Sequence, residues 1–308
     1  MQPTTLAVLM ACHNRCDTTL RCLDSLKCQQ GLESVRTNIY LVDDGSTDQT
    51  AQQVRERHHD VVVLEGDGNL FWSGAMRLAF GRAMEDGHDY YLWLNDDVAL
   101  DAGAISRLLE IHRTLPSCND ILVGATRDGR TDKVSYGGYV HWGSWNPLRF
   151  RLIEPAADRP IPCEVMNGQC VLIPHSAAKR VGNIDPRFEQ NFGDYDYALR
   201  ARKKGCNVWL APQYVGTCDN NACGMLWREA TVPWRERWRL VKRPRAFPPG
   251  QLLRYTRRHA GWVWPILFLQ PYLRALFFPI RHSPQALQAA REMQEAKAAK
   301  TSSDGVVS

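Results

Sequence analysis

"NIYLVDDGSTDQTAQQVRERH" (residues 38–58) changes character twice within a short span. Ile39 to Val42 is an apolar, β-prone run of the kind that fills a buried strand. Asp43 and Asp44 end it with two carboxylates. "GSTDQT" then supplies turn residues, with Ser46 placed to cap the helix that follows. A strand passing through a short polar turn into a helix is half of a βαβ unit.

The same unit repeats on both sides. "LAVLMAC" (6–12) reads as a buried strand. It leads into a helix over 16–29 with Leu20, Leu23 and Leu26 on one face and Asp17 or Thr18 as its cap. "VVVLEG" (61–66) is a third strand and "SGAMRLAFGRAMED" (73–86) a third helix. "YYLWLNDD" (90–97) is a fourth strand that stops at Asn95, Asp96 and Asp97, before a helix over 102–115. This alternation predicts an α/β fold, with a mainly parallel central sheet flanked by helices. Ligands of such sheets sit beyond the C-terminal strand ends. "CHNR", "VDDGSTD" and "NDDV" all fall at that edge, and their convergence says more than any one of them.

After about residue 120 the pieces shorten: "ILVGATR", "KVSYGGYVHWG", "EVMNGQCVLIP". A loop, helix and strand follow over 184–212. The expected organisation is one catalytic domain over 1–225, divided near residue 115, a basic helical extension over 226–282, and a tail over 283–308 that starts helical and ends disordered. No internal repeat is present.

The chain has 308 residues, 44% hydrophobic and 23% charged, enough for a packed α/β core. The N-terminus lacks the basic start and apolar stretch of a secretory leader. No run of eighteen apolar residues marks a spanning helix. The ten cysteines are scattered without a C-x-x-C pair, which favours reduced thiols in a cytosolic setting. Net charge is +5, but residues 228–281 carry twelve Lys/Arg against two Asp/Glu, leaving −5 for the remainder.

Each polar cluster has a chemical and a plain reading. Paired carboxylates after a strand suit Mg²⁺ or Mn²⁺, which accept one or two carboxylates and keep positions for phosphate oxygens. Neighbouring side chains on an extended backbone diverge, so Asp97 is assigned to the metal and Asp96 to the donor sugar or a supporting role. The plain reading is a turn and helix cap. Asp43 and Asp44 can accept from a base or ribose, or close a turn. In "GNLFWSGAMRLAF" (68–80), Asn69 and Trp72 face a phosphate or base, or Trp72 is core. In "FGDYDYALRARKKG", Asp194 and Asp196 either serve acid–base chemistry or complement a helix dipole.

Together, "LAVLMACHNR", "YLVDDGSTDQT", "GNLFWSGAMRLAF", "YYLWLNDDV", "VMNGQCVLIP" and "GDYDYALRARKKG" resemble the family 2 glycosyltransferases of GT-A fold, over about residues 5–220. That resemblance implies an inverting enzyme using a nucleotide-diphosphate sugar and a divalent metal. It makes Asp97 the metal ligand of a D-x-D-type element, and puts Asp43 and Asp44 at the base or ribose. Ala11, His13 and Arg15 would line the nucleotide pocket. Asp194 becomes the general base, with Asn167, Gly168 and Asp196 on the acceptor side. Gly193 stands where the family has Glu. "APQYVGTCDNNACG" lacks the late His metal ligand of many relatives, with Cys218 or Asp219 as substitutes. The closest likeness is to transferases of bacterial surface polysaccharides. It favours dTDP-rhamnose as donor and a glycan or lipid-linked glycan as acceptor. A sugar-phosphate nucleotidyltransferase would need a Gly-rich loop after the first strand, which "ACHNRCDTT" is not. A non-catalytic nucleotide-sugar or lipid-binding subunit is the other alternative.

"FPPGQLLRYTRRHAGWVWPILFLQPYLRALFFPIRH" (247–282) mixes aromatics, Leu and Arg. Pro265, Pro271 and Pro279 are expected to break it into pieces too short to span a bilayer. It suits an anionic membrane surface, at the inner face of the cytoplasmic membrane. Packing on the catalytic domain or a homo-oligomer contact is the competing reading. Its apolar content argues against nucleic acid.

Overall fold

The computed structural model describes residues 3–219 and 226–281; the tail expected from 283 lies outside them. Among the described residues two compact units are present, one formed by 3–142, 149–189 and 193–219, the other by 143–148, 190–192 and 226–281.

The first unit begins with the alternation read from the sequence. It runs β1 (Thr4–Cys12), α1 (Cys16–Lys27), β2 (Val35–Asp43), α2 (Thr50–Arg57), β3 (Val61–Glu65), α3 (Phe71–Asp86) and β4 (Tyr90–Leu94). It continues through β5 (Ala99–Leu100), α4 (Ala104–Thr114), β6 (Ile121–Arg127), β7 (Val134–Tyr136), β8 (Gly138–His141) and β9 (Phe150–Leu152). β10 (Ile161–Cys163), β11 (Val165–Met166), β12 (Cys170–Pro174), α5 (His175–Val181), α6 (Gly193–Lys203) and β13 (Val208–Thr217) complete it. The main sheet has the order β10-β13-β6-β12-β4-β1-β2-β3. β1 pairs in parallel with β2 and β4, and β2 with β3.

Side-chain alternation along the strands builds a core on each face. Leu9, Tyr40, Val42, Tyr91 and Trp93 pack with Met76 and Phe80 of α3 and Tyr197 of α6. Leu6, Val8, Met10, Leu41 and Leu92 pack with Leu20 and Leu23 of α1 and with Leu108 of α4. Trp93 and Tyr197 lie 4.9 Å apart by ring centroid, and Phe80 closes on Trp93 at 5.8 Å, which ties α3 and α6 to β4.

Two cap expectations are corrected. Asp17 and Thr18 do not cap α1; Asp48 of the next loop does, accepting from the Cys16 N–H at 3.0 Å. Ser46 does not cap α2, which starts later, after Gln49 in a left-handed conformation. Asp43 Oδ1 accepts from the Ser46 N–H, and Ser46 Oγ accepts from the Asn14 N–H, each at 2.9 Å. A side chain that laces two loops together is lost to its own helix.

The second unit holds α7 (Trp234–Leu240), α8 (Pro249–His259) and α9 (Trp264–Phe277). The buried Arg237 donates to the carbonyls of Val232 and Ala275, at 2.6 Å each, and so anchors the end of α9. Pro271 does not break this segment: α9 continues through it to Phe277. Pro265 falls in the first turn, where no N–H is needed.

Gly124 of β6 fixes how closely the sheet packs. A Cβ there would stand 2.7 Å and 2.8 Å from the Val215 methyls and 3.2 Å from the Cys170 sulfur. Gly124→Val should therefore destabilise the fold by about 2 kcal/mol in urea denaturation with an unchanged m-value. An unchanged midpoint would mean that this packing is slack.

Candidate active site

One reversal of strand direction assembles the site. β12 runs antiparallel to β4, with Cys170 opposite Leu94. An antiparallel strand starts where its parallel neighbours end, so Asn167, Gly168 and Gln169 arrive beside Asn95. The Asn95 N–H donates to the Gln169 carbonyl at 3.0 Å.

Asp96 and Asp97 do not diverge as an extended backbone would make them. β4 stops at Leu94, the chain turns, and both carboxylates converge on one guanidinium. Arg15 Nη1 donates to Asp96 Oδ1 at 2.9 Å and Nη2 to Asp97 Oδ2 at 2.8 Å. Their side chains are 4% and 12% exposed, against 39% for Arg15. Thr19 donates to Asp96 Oδ2 at 3.3 Å. Burial pushes the Asp96 carboxyl up to about 7; Arg15 opposes the rise and Asp97 adds to it.

Asp97 continues the chain of bonds. Its Oδ1 accepts from Gln169 Nε2 at 3.0 Å and from the Cys218 thiol at 3.4 Å. Asn95 donates its amide to Gln169 Oε1 and accepts from Trp72 Nε1 at 2.6 Å. The Trp72 ring lies on Gly168, where a Cβ would come within 2.2 Å of it, and meets Trp93 edge-on at 6.0 Å. Trp72 thus frames the site. Gln169 and Thr19 were not singled out from the sequence. Gln169 stood inside "MNGQC", but only the strand reversal shows that its amide reaches Asp97.

The two acids of "VDDGS" have separate positions. Asp44 is saturated: Oδ1 accepts from the N–H groups of Gly68 and Leu70, and Oδ2 from Phe71, at 2.9 to 3.2 Å. It organises the turn into α3, with Phe71 held at φ 52°. The Asp43 carboxylate accepts from the Ser46 N–H and lies at the tip of β2 level with Cys12. The exposed His13 donates from Nδ1 to the Asp44 carbonyl at 2.6 Å. Ala11 is half-buried on β1. Asn69 is exposed and turned back on Asp67, apart from this network.

Asp194 opens α6 and is bound to the same turn. Its Oδ2 accepts from the Gly168 N–H at 3.1 Å and its Oδ1 from its neighbour Tyr195 at 2.8 Å. Burial raises it to about 6, despite these two bonds. Tyr139 donates to Asn167 Oδ1 at 2.6 Å. Gly193 lets α6 start against α3: a Cβ there would lie 2.4 Å from Ser73 Oγ. A glutamate at that position would not fit. Asp196 is corrected: it is fully buried and paired with Arg200 at 2.8 Å, so no acceptor can touch it.

The donor set bears on a metal. Among the described residues no group of three or more His, Cys, Asp or Glu forms a cage. Burial and the Asp97 carboxylate keep the Cys218 thiol protonated, and a neutral thiol is a poor partner for Mg²⁺ or Mn²⁺. Asp97 is the carboxylate of this network that could hold such a cation, with Arg15, Gln169 and Cys218 already on its oxygens.

The family model described as "Glycosyl transferase family 2" matches residues 7–180. Two curated relatives from Mycobacterium tuberculosis, strains CDC 1551 / Oshkosh and ATCC 25618 / H37Rv, are named N-acetylglucosaminyl-diphospho-decaprenol L-rhamnosyltransferase. Each is 25% identical over 198 residues, covering 56% of this chain and 62% of the relative. The chain thus spans about three fifths of their length. Among solved structures, GalNAc-T7 with UDP, GalNAc and Mn²⁺ is similar over 88% of this chain and 54% of that one, at 13% identity and TM-score 0.55. The mannosyltransferase PcManGT from Pyrobaculum calidifontis, with GDP-Man and Mn²⁺, covers 97% of this chain and 76% of its own, at 14% identity and TM-score 0.49.

Arg15→Ala leaves two adjacent acids without their cation. It should cost about 3 kcal/mol in urea denaturation, the low end for a broken buried pair because Arg15 is partly exposed. Arg15→Lys should recover only part, since one ammonium does not span both carboxylates. Wild-type stability in Arg15→Ala would contradict the clasp.

Proposed function

The chain belongs to glycosyl transferase family 2, and on that premise we propose that it inverts the anomeric centre of a nucleotide-diphosphate sugar while transferring it to a glycan or lipid-linked glycan hydroxyl. The observation that carries this reading is the unbroken path of bonds from Arg15 through Asp97 and Gln169 to the turn that holds Asp194. One end of that path suits a diphosphate and the other a reacting hydroxyl.

Asp43 takes the base or ribose, since Asp44 is occupied by the turn into α3. Arg15 turns from the acid pair to the diphosphate as the donor enters. A divalent cation bound with the donor on Asp97 would offset charge on the departing diphosphate. Asp194 Oδ2 takes the proton of the acceptor hydroxyl. The freed oxygen pair bonds to the anomeric carbon from the face opposite the diphosphate, and the bond to the diphosphate breaks with its electrons leaving on the phosphate oxygen. No covalent enzyme intermediate is required. The named relatives favour a rhamnosyl donor and a lipid-diphosphate acceptor, which would place the reaction at the inner face of the cytoplasmic membrane.

A base raised to about 6 fixes the pH response. kcat/KM should climb with pH through about 6 and then level off. Asp194→Asn should lower kcat by about 10²- to 10⁴-fold. Because the folded carboxyl titrates above its unfolded value of about 3.9, its contribution to stability is complete below pH 4 and lost as pH rises through about 6. Asp194→Asn should thus turn over far more slowly yet be at least as stable as wild type at pH 8. Wild-type turnover in that variant would remove Asp194 as base.

Thermal shift tests the donor and metal together. Mn²⁺ alone should leave the melting temperature unchanged, whereas Mn²⁺ with the correct nucleotide-diphosphate sugar should raise it. A large shift with Mn²⁺ alone would contradict a cation that comes with the diphosphate.

A further inference from the structure

α9 is apolar on both of its faces. Val263, Leu267, Tyr272 and Ala275 turn into the second unit and are buried. Trp262, Ile266, Leu269, Leu273 and Phe277 are spaced by four, three, four and four residues, which is one edge of a helix. All are exposed, Trp262 at 87% and Phe277 at 68%, and Phe278 extends the edge at 67%. A helix with one apolar face buried and a second apolar edge left uncovered has a second apolar medium to meet.

Three features say which medium. The fourteen residues of α9 measure about 21 Å, short of the roughly 30 Å of a hydrocarbon core, so the helix can lie in a bilayer surface but not cross it. No Asp or Glu occurs between residues 237 and 281, while Lys242, Arg243, Arg245, Arg257, Arg274 and Arg281 are exposed. Arg257 sits 5.4 Å over the Trp264 ring, combining a cation with an indole as headgroup regions favour. A second copy of the chain would instead set two such cationic surfaces against each other. The charge thus selects an anionic partner and the apolar edge selects lipid.

We propose that the exposed apolar edge running from Trp262, just before α9, along α9 to Phe278, just after it, inserts in the plane of an anionic bilayer. The surrounding Arg and Lys side chains reach its headgroups. This deepens the reading of a lipid-linked acceptor: the protein would rest on the leaflet that carries its substrate.

The test uses the full chain in vesicle flotation, with phosphatidylcholine alone and with phosphatidylglycerol added. Binding should require the anionic lipid and weaken as salt rises. The combined variant Ile266→Gln, Leu269→Gln and Leu273→Gln should lose at least tenfold in partitioning. Its melting temperature and donor-induced thermal shift should stay at wild-type values, because those side chains face outward. A photo-crosslinking residue at position 269 should attach to lipid. Wild-type flotation by the triple variant would overturn the proposal, as would crosslinks to a second copy or to residues 282–308. Vesicle binding and donor binding are read separately, so failure of this proposal leaves the transferase reading standing, and the reverse also holds.

Discussion

Two carboxylates side by side on a turn repel each other, and burying them makes that worse. Arg15 resolves the conflict by reaching across from the loop after β1 with both arms of its guanidinium. The remainder of the site depends on that grip. It fixes the β1 and β4 loops to each other, while Asp48, Ser46 and Asn14 hold the β1 and β2 loops in place around it. Gln169 then carries the order to the turn before β12, and Asn95 carries it to Trp72. Buried polar groups are costly unless satisfied, so a network in which each member has partners holds one arrangement of the cleft.

Environment separates carboxylates that look alike in the sequence. Asp44 spends both oxygens on backbone N–H groups and shapes the turn into α3. Asp196 is locked against Arg200. Asp194, two residues earlier on the same helix, is half-buried and has no ion pair among the described residues, and desolvation moves it toward the pH range where a base is useful. Asp97 keeps a thiol and an amide on one oxygen and an arginine on the other.

The α/β alternation was legible from residue 6 to residue 115 because apolar period and turn chemistry agree there. The convergence of "CHNR", "VDDGSTD" and "NDDV" followed from parallel strands ending at one edge, and the described elements bear it out. Less visible was anything that depends on strand direction. The apolar run "CVLIP" (170–174) does not announce antiparallel pairing, so the approach of Gln169 to Asp97 had no sequence signal. Rules for isolated elements also misled where tertiary contacts overrode them. Asp96 and Asp97 converge because they sit in a turn, α1 is capped by a residue of another loop, and α9 passes through Pro271. Gly193, a departure from the family pattern, became intelligible only when Ser73 was seen against it.

The stereochemistry of the product reports most directly on the proposed displacement of a nucleoside diphosphate with Asp194 as the base. Proton NMR of the newly formed glycosidic linkage should show the anomer opposite to that of the donor. Formation of the donor's own anomer would contradict a single displacement and require a different arrangement of groups around the anomeric carbon.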